Sequence, residues 1–380
     1  MKVLHVADTH LGFSAYRKAT EEGINQREID AYNAFEQFID YTVKTKPDLV
    51  IHAGDLFDAV RPNNRAITFA IKQLIRLSKE KIPIIIISGN HEHPKLKETG
   101  HIFSIFDHIE HVYPIYNAKY EKQTFNIKNE KITIHAIPQA NTKNDFNDEL
   151  KKLKIDTKSD YNILVSHGSV TGIKIFSMNE FNELFIPTES LSKNFDYIAL
   201  GHYHRYTKLA QNTFYSGSTE SFTFTDAGDK KGFIELELNK DSFKQKFIQL
   251  KNRPMIDTKP IKCSNLKLND IMKKIKETVM EIGPKDKTLR ITLDDIPAQI
   301  YRSLDFREIK KLSNEAVHFE IKANLIKEEG QTQKMGTSKI NELANEFKEY
   351  LETQDVKEKK TILDLGLGYI EKIEARDEGK

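Results

Sequence analysis

Residues 196–204, DYIALGHYH, pass from a short apolar run into two histidines separated by one tyrosine. Side chains two apart on an extended backbone face the same way, so His202 and His204 can point into one place. A lone His-x-His at a strand end is weak evidence of a metal. Its weight comes from four segments built alike: KVLHVADTHLG (2–12), DLVIHAGDLFD (48–58), PIIIISGNHEH (83–93) and NILVSHGSV (162–170). Each is a short run rich in Val and Ile, then a glycine or polar break. That is the pattern of strands buried on both faces.

Amphipathic stretches lie between these runs, notably REIDAYNAFEQFIDYTVKT (27–45) and NRAITFAIKQLIRLSKE (64–80). Strand alternating with helix predicts a layered α/β core. KITIHAIP (131–138) reads as a further strand. NTFYSGSTESFTFTD (212–226) and KGFIELELNKDSFKQKFIQL (231–250) read as β-hairpin material closing the unit over residues 1–255. The pattern then changes to helix, strand, helix, strand (269–282, 287–295, 306–316, 317–326), which predicts a small α+β domain over 256–328. Residues 329–339 are polar with glycine and read as a linker. In the helical segment 340–380, Ile340, Leu343, Phe347 and Leu351 share one helical face, and Leu363, Leu367 and Ile370 follow in the next apolar stretch.

The chain has 380 residues, 30% of them charged, and a net charge of +2. This excludes a uniformly basic nucleic-acid coat, so an anionic partner must be held by local patches. Cys263 is the only cysteine, so no internal disulfide forms, which fits a reducing, cytoplasmic setting. The start, MKVLHVADTH, meets polar residues too early for a signal peptide, and IPIIIIS is too short to span a bilayer. No membrane partner is expected.

Open α/β sheets present functional groups at the carboxyl ends of their strands. Here those ends carry Asp8 and His10, Asp55, Asn90 and His91, His167, and His202 with His204. Gathered without a cation, buried carboxylates and imidazoles would be electrostatically costly. Oxygen and imidazole ligands without a thiolate favour Mn²⁺, with Fe²⁺, Zn²⁺, Ni²⁺, Co²⁺ or Mg²⁺ as substitutes. The candidates are too many for one ion and enough for two sharing a carboxylate, an arrangement that clamps a phosphate and activates water.

The motifs DTHLG, GDLFD, GNHE, SHG and GHYH, in this order over about the first 210 residues, resemble those of the calcineurin-like metallophosphoesterases. Within that superfamily, ADTHLG followed by GDLF resembles the DNA double-strand-break repair nucleases of the SbcD / Mre-eleven family, archaeal type. The resemblance implies a two-sheet layered core with helices outside, a DNA-capping domain and a C-terminal docking segment. It assigns one Mn²⁺ to Asp8, His10 and His204, the other to Asn90, His167 and His202, and makes Asp55 the bridge. It places His91 at the scissile phosphate without ligating. Many relatives carry histidine directly after GDLF, where this chain has Asp58, and GNHD where it has Glu92. GNHE is also typical of protein serine/threonine phosphatases, but their GDxxDRG arginine is missing here.

The resemblance implies Mn-dependent 3'-5' double-strand exonuclease and single-strand endonuclease action on DNA ends. Candidate DNA contacts are Tyr16, Arg17, Lys18, Arg61, Asn63, Arg65 and Lys95. The resemblance also implies a homodimer, joined to an SMC-like ABC ATPase with a coiled coil as a heterotetramer in the nucleoid. Ile340, Leu343, Phe347, Leu351, Leu363, Leu367 and Ile370 would dock on that ATPase. The alternatives are a phosphatase or cyclic phosphodiesterase of the same superfamily, and a non-catalytic DNA-end scaffold.

Overall fold

The computed structural model describes residues 1–171, 178, 183–192, 194–239, 242–326, 347–348, 351 and 359–367. The chain forms two compact units, Met1–Asn324 and Leu325–Lys380. Among the described residues, two six-stranded sheets build the larger part of the first unit, beside a two-stranded one of β8 (Ser169–Val170) and β9 (Phe185–Ile186). One runs in the order β14 (Ser242–Gln249), β13 (Gly232–Asn239), β1 (Lys2–Val6), β2 (Leu49–His52), β3 (Ile84–Ile87), β4 (Val112–Ile115). The other runs β11 (Thr207–Lys208), β12 (Thr213–Tyr215), β10 (Tyr197–Gly201), β7 (Tyr161–His167), β6 (Glu130–Ile137), β5 (Glu121–Ile127). Their central strands pair in parallel, β1 to β2 to β3 to β4 and β6 to β7 to β10 to β12. The expected α/β class and layered core are therefore present.

Strand composition explains the layering. In β3, Ile84 and Ile86 join a core with Phe35, Phe38 and Leu74 of α1 (Gln26–Thr45) and α2 (Asn64–Lys79). Ile85 and Ile87 point the other way, against Ile134, Val165 and Ala199 of the second sheet. Leu164, Ile198 and Leu200 then meet Phe146 of α3 (Lys143–Lys151) on the far side. A four-residue isoleucine run fits because both faces of its strand are covered. The helices begin at side-chain caps: Asn25 accepts from Arg27 N–H, Asn63 from Ala66 N–H and Thr142 from Asp145 N–H.

The segment expected as hairpin over 212–226 differs. Only Thr213–Tyr215 is a strand, paired in parallel with β10. Residues 216–223 form a loop, buried except at Thr223, whose amides are taken up elsewhere: Ser218 N–H by His204 O (3.1 Å) and Thr219 N–H by Asp8 O (3.4 Å). Alternating Thr, Phe and Ser resemble a strand, but here their polar groups bind neighbouring loops instead of a ladder. The 231–250 hairpin is formed, with Asn239 opposite Ser242.

A further four-stranded sheet follows. β15 (Met255–Asp257) and β16 (Ile261–Lys262) pair in succession along β17 (Thr288–Ile296), and β18 (His318–Leu325) also pairs β17. With α4 (Leu268–Ile282), α5 (Ala298–Arg302) and α6 (Phe306–Leu312) it builds its own core around Ile275, Leu289 and Ile291. It is anchored by Arg253, which forks onto Asp30 of α1 (2.7 and 2.8 Å) and donates to Asp286 O (2.8 Å). Residues 359–367 are helical. Within the second unit Leu351 is buried, Leu365 is exposed, and Gly366 lies against the Phe347 ring. Ile340, Leu343 and Ile370 lie outside the described residues.

Candidate metal centre

The loops that follow β1, β2 and β3 meet the ends of β7 and β10. The first two are laced together: Asp8 N–H donates to Gly54 O (3.0 Å), His10 N–H to Asp55 O (3.1 Å) and Leu11 N–H to Leu56 O (2.8 Å). This lacing holds side chains in unusual backbone conformations. Asp8, His10, Asp55 and His202 all have positive φ, at 53°, 44°, 54° and 96°. Such strain persists in non-glycine residues only where the surroundings fix it, and it concentrates at functional sites. Gly54 is required for a related reason: its φ is 98°, and a Cβ there would strike the His167 ring.

The predicted residues come together, and Asp8, His10, Asp55, His167, His202 and His204 are all buried. Asp8, His10 and His204 form one group able to hold an ion; Asp55, His167 and His202 form another; His10, Asp55 and His91 form a third. Asp55 Oδ2 stands between the first two groups, 3.8 Å from His10 Nε2 and 3.2 Å from His167 Nε2. Asn90 Oδ1 completes the second group, 2.9 Å from His167 Nε2 and 3.1 Å from His202 Nδ1. His10 Nε2 and His204 Nε2 approach to 3.2 Å.

The donor chemistry fits divalent cations. Asp8 Oδ2 and Asp55 Oδ2 are buried with no hydrogen-bond donor among the described residues, and a buried acceptor left so is costly unless a cation takes it. The imidazoles are turned accordingly. His167 Nδ1–H donates to Ala53 O (2.9 Å), so its Nε2 lone pair faces Asp55 and Asn90. His202 Nε2–H donates to the Glu183 carboxylate (3.0 Å), so Nδ1 faces Asn90. Separations near 3 Å are those of neighbouring ligands around an ion held at about 2.1 Å. Burial opposes charge on His167, but the carboxylates of Asp55 and Asp8 outweigh it and push the imidazole up to about 9, so an ion taken up at Nε2 displaces a proton there. Burial likewise opposes charge on Asp55, yet His167, His91 and His10 hold its carboxyl well below the usual range.

Several supporting residues escaped sequence reasoning. Glu183 orients His202, as described. Asp226 lies 3.8 Å from His204 Nδ1 and takes an ion pair from the buried Lys231 (2.8 Å), whose ammonium also donates to His204 O (2.7 Å). Phe222, on the 216–223 loop, packs its ring on His10 and His204 at 4.7 and 5.6 Å. A carboxylate holding the outer nitrogen of a ligating imidazole is a recurrent device; buried polar residues such as Glu183 and Asp226 carry no spacing signal. Glu92, the departure in GNHE, accepts from the amides of Gly89 (2.7 Å), Asp55 (3.2 Å) and Phe57 (3.3 Å). It fixes the loops against one another.

His91 is half-buried. Its N–H donates to Asp55 Oδ1 (3.0 Å) and its Nδ1–H to Asp58 O (3.1 Å), which turns Nε2 away from the loop. His5, His52 and His135 are buried away from the ion-holding groups, on Tyr197, Thr9 and Asn162 respectively. Among the candidate DNA contacts, Arg17, Lys18, Arg61 and Lys95 are exposed. Tyr16 stacks on His318 at 3.7 Å, Asn63 caps α2 and Arg65 pairs with Glu28 (2.9 Å).

This centre, at the strand ends of two facing sheets, is that of a metal-dependent phosphodiesterase: the calcineurin-like phosphoesterase signature matches residues 1–206, and the chain belongs to that family. Over 382 residues it is 28% identical to the DNA double-strand break repair protein Mre11 of Sulfolobus acidocaldarius, covering 96% of this chain and 94% of the relative. The protein of the same name from Methanococcus maripaludis is 28% identical over 80% of each chain. That of Saccharolobus solfataricus is 36% identical over 217 residues, 56% of this chain and 51% of the relative. No described helix is long and apolar enough to cross a membrane.

Proposed function

We propose that this chain is a double-strand-break repair nuclease that hydrolyses DNA phosphodiesters with Mn²⁺, as a 3'-5' exonuclease on duplex ends and an endonuclease on single strands. The observation carrying this reading is Asp55 Oδ2, buried without a donor between His10 and His167. Asp8, His10 and His204 would hold one ion, Asn90, His167 and His202 the other, with Asp55 shared. When bound, two such ions polarise the phosphate and supply a nucleophile at neutral pH. Asp58 and Asp55 fix the His91 ring and backbone, so that His91 Nε2 can deliver a proton to the departing sugar oxygen. Arg17, Lys18, Arg61 and Lys95 would grip flanking phosphates without reading sequence.

The names of the relatives support the nucleic-acid substrate. In this reading residues 256–328 cap the DNA, 329–339 are the linker and 340–380 dock on a coiled-coil ABC ATPase. Two copies of each protein form the assembly, in the cytoplasm at the nucleoid. The test uses chelator-stripped protein and DNA labelled at each end, with Mn²⁺ or Mg²⁺ added back. Mn²⁺-dependent shortening from the 3' end is the expected result. Inert DNA combined with hydrolysis of phosphomonoesters would replace this reading with a phosphatase.

A further inference from the structure

A cleft of about 750 Å³ lies between the loop after β1 and the edge of the small sheet, outside the residues that would hold the ions. Its size is that of a ligand site. The floor is apolar, from Ile309, Val317 and Phe319, and Phe306 projects into solvent at its rim with 44% of its surface exposed. Around that floor stand Arg17, Lys18 and Lys310, and no carboxylate lines the cleft. The three cations are exposed, and none makes an ion pair with a described residue. Nearby cations behave differently: Arg65 pairs with Glu28, Arg253 with Asp30 and Lys276 with Glu308. Glu320 stands 3.7 Å from His318 in the wall, but an apolar floor with three exposed, unpaired cations at its rim suits an anion with a flat, weakly polar body.

Position selects among such anions. The wall of the cleft is the Tyr16–His318 stack, and His318 lies 6.2 Å from Phe224. Phe222, two residues earlier, packs on His10 and on Phe13 of the Tyr16 loop at 4.7 and 4.8 Å. The loop from His10 to Tyr16 therefore joins the metal centre to the cleft, with ring contacts to Phe222 at one end and to His318 at the other. Resting on the nucleic-acid reading above, we infer that the cleft receives unpaired nucleotides of the strand being cut. Their bases lie on Phe306 and the apolar floor, and their phosphates meet Arg17, Lys18 and Lys310. Base stacking on aromatic rings is tolerant of sequence and strong enough to select unpaired over paired ends.

The test is fluorescence anisotropy with the full chain in chelator, so that nothing is cut. It compares a blunt duplex with the same duplex carrying a short unpaired tail. The wild type should bind the tailed duplex about tenfold more tightly. Phe306→Ala and Lys310→Glu should bring the ratio of the two affinities close to one, while Lys310→Arg keeps it. A ratio kept by both Phe306→Ala and Lys310→Glu overturns the inference, as does a wild type indifferent to the tail; both leave the nuclease reading standing. A wild type that binds neither DNA defeats the nuclease reading and the cleft assignment together. An acidic amphipathic peptide that occupies the cleft and is not displaced by tailed DNA would reassign it to a protein partner.

Discussion

The carboxylate of Asp58 lies 3.2 Å from His10 Nδ1 and 3.7 Å from His91 Nδ1. One side chain thus backs a would-be metal ligand on its outer nitrogen and stands beside the proposed proton donor. Asp58→Ala should lower Mn²⁺ affinity or cleavage rate by about 10–100-fold, the usual cost of removing such a support. Calorimetric titration with Mn²⁺, paired with single-turnover cleavage, separates the two effects. Unchanged values in both would remove Asp58 from the site.

His91→Ala should separate binding from chemistry. The ring is outside the seven proposed ligands, so metal content should stay at two ions per chain by elemental analysis. Cleavage should fall by about 10²–10⁴-fold, the range for losing a positioned general acid. Loss of one ion from this variant would instead make His91 a ligand, as its grouping with His10 and Asp55 permits.

Gly54→Ala tests the packing beneath the centre. The added methyl meets the His167 ring at a backbone angle that suits glycine. His167 must then leave Asn90 and Asp55, and one ion should be lost while the fold persists. Full metal loading of this variant would show that the loop after β2 yields more easily than its contacts imply.

Arg27 is buried between Asp30 (2.6 Å) and Glu220 (3.2 Å). Arg27→Leu leaves the buried Glu220 without its cation, while Asp30 keeps Arg253, and should cost about 3–5 kcal/mol in denaturant unfolding. Adding Glu220→Leu should restore part of that loss, because the double variant leaves fewer unpaired charges inside.

Stability should fall in mild acid through the buried neutral histidines. Burial pushes both His5 and His101 down to about 3, against an ordinary value of about 6.5. Between those values the unfolded chain binds protons that the native chain refuses, so stability drops as pH falls below about 6.5, by up to roughly 1.4 kcal/mol per pH unit for each ring. His101 Nδ1 accepts from Phe103 N–H at the start of a short helical turn. His101→Asn keeps an acceptor at that cap and removes the titration, so its urea unfolding in chelator should vary less between neutral and mildly acidic buffer. An identical slope in the wild type would assign the acid loss to other groups.

The strands and the gathering of ligand-type residues were legible because both are local signals. A Val/Ile run followed by Asp-x-His or His-x-His declares its own geometry over a few residues. The 216–223 loop was not, since Phe222 and Ser218 imitate a strand until their partners, His10 and His204, are known. Glu183 and Asp226 were silent for the same reason: an isolated carboxylate acquires its role from an imidazole brought near by the fold. Asp58 appeared only as a departure from relatives, and its distance to His10 supplies the meaning that position alone lacked.

The left-handed conformations at Asp8, His10, Asp55 and His202 bear on how the enzyme fails on heating. Any opening that frees these loops lets all four residues relax into the ordinary regions they are kept from, while the isoleucine-rich sheets behind them stay paired. Inactivation should therefore be abrupt, precede the melting of the sheets, and reverse on cooling as long as the sheets survive to rebuild the turns.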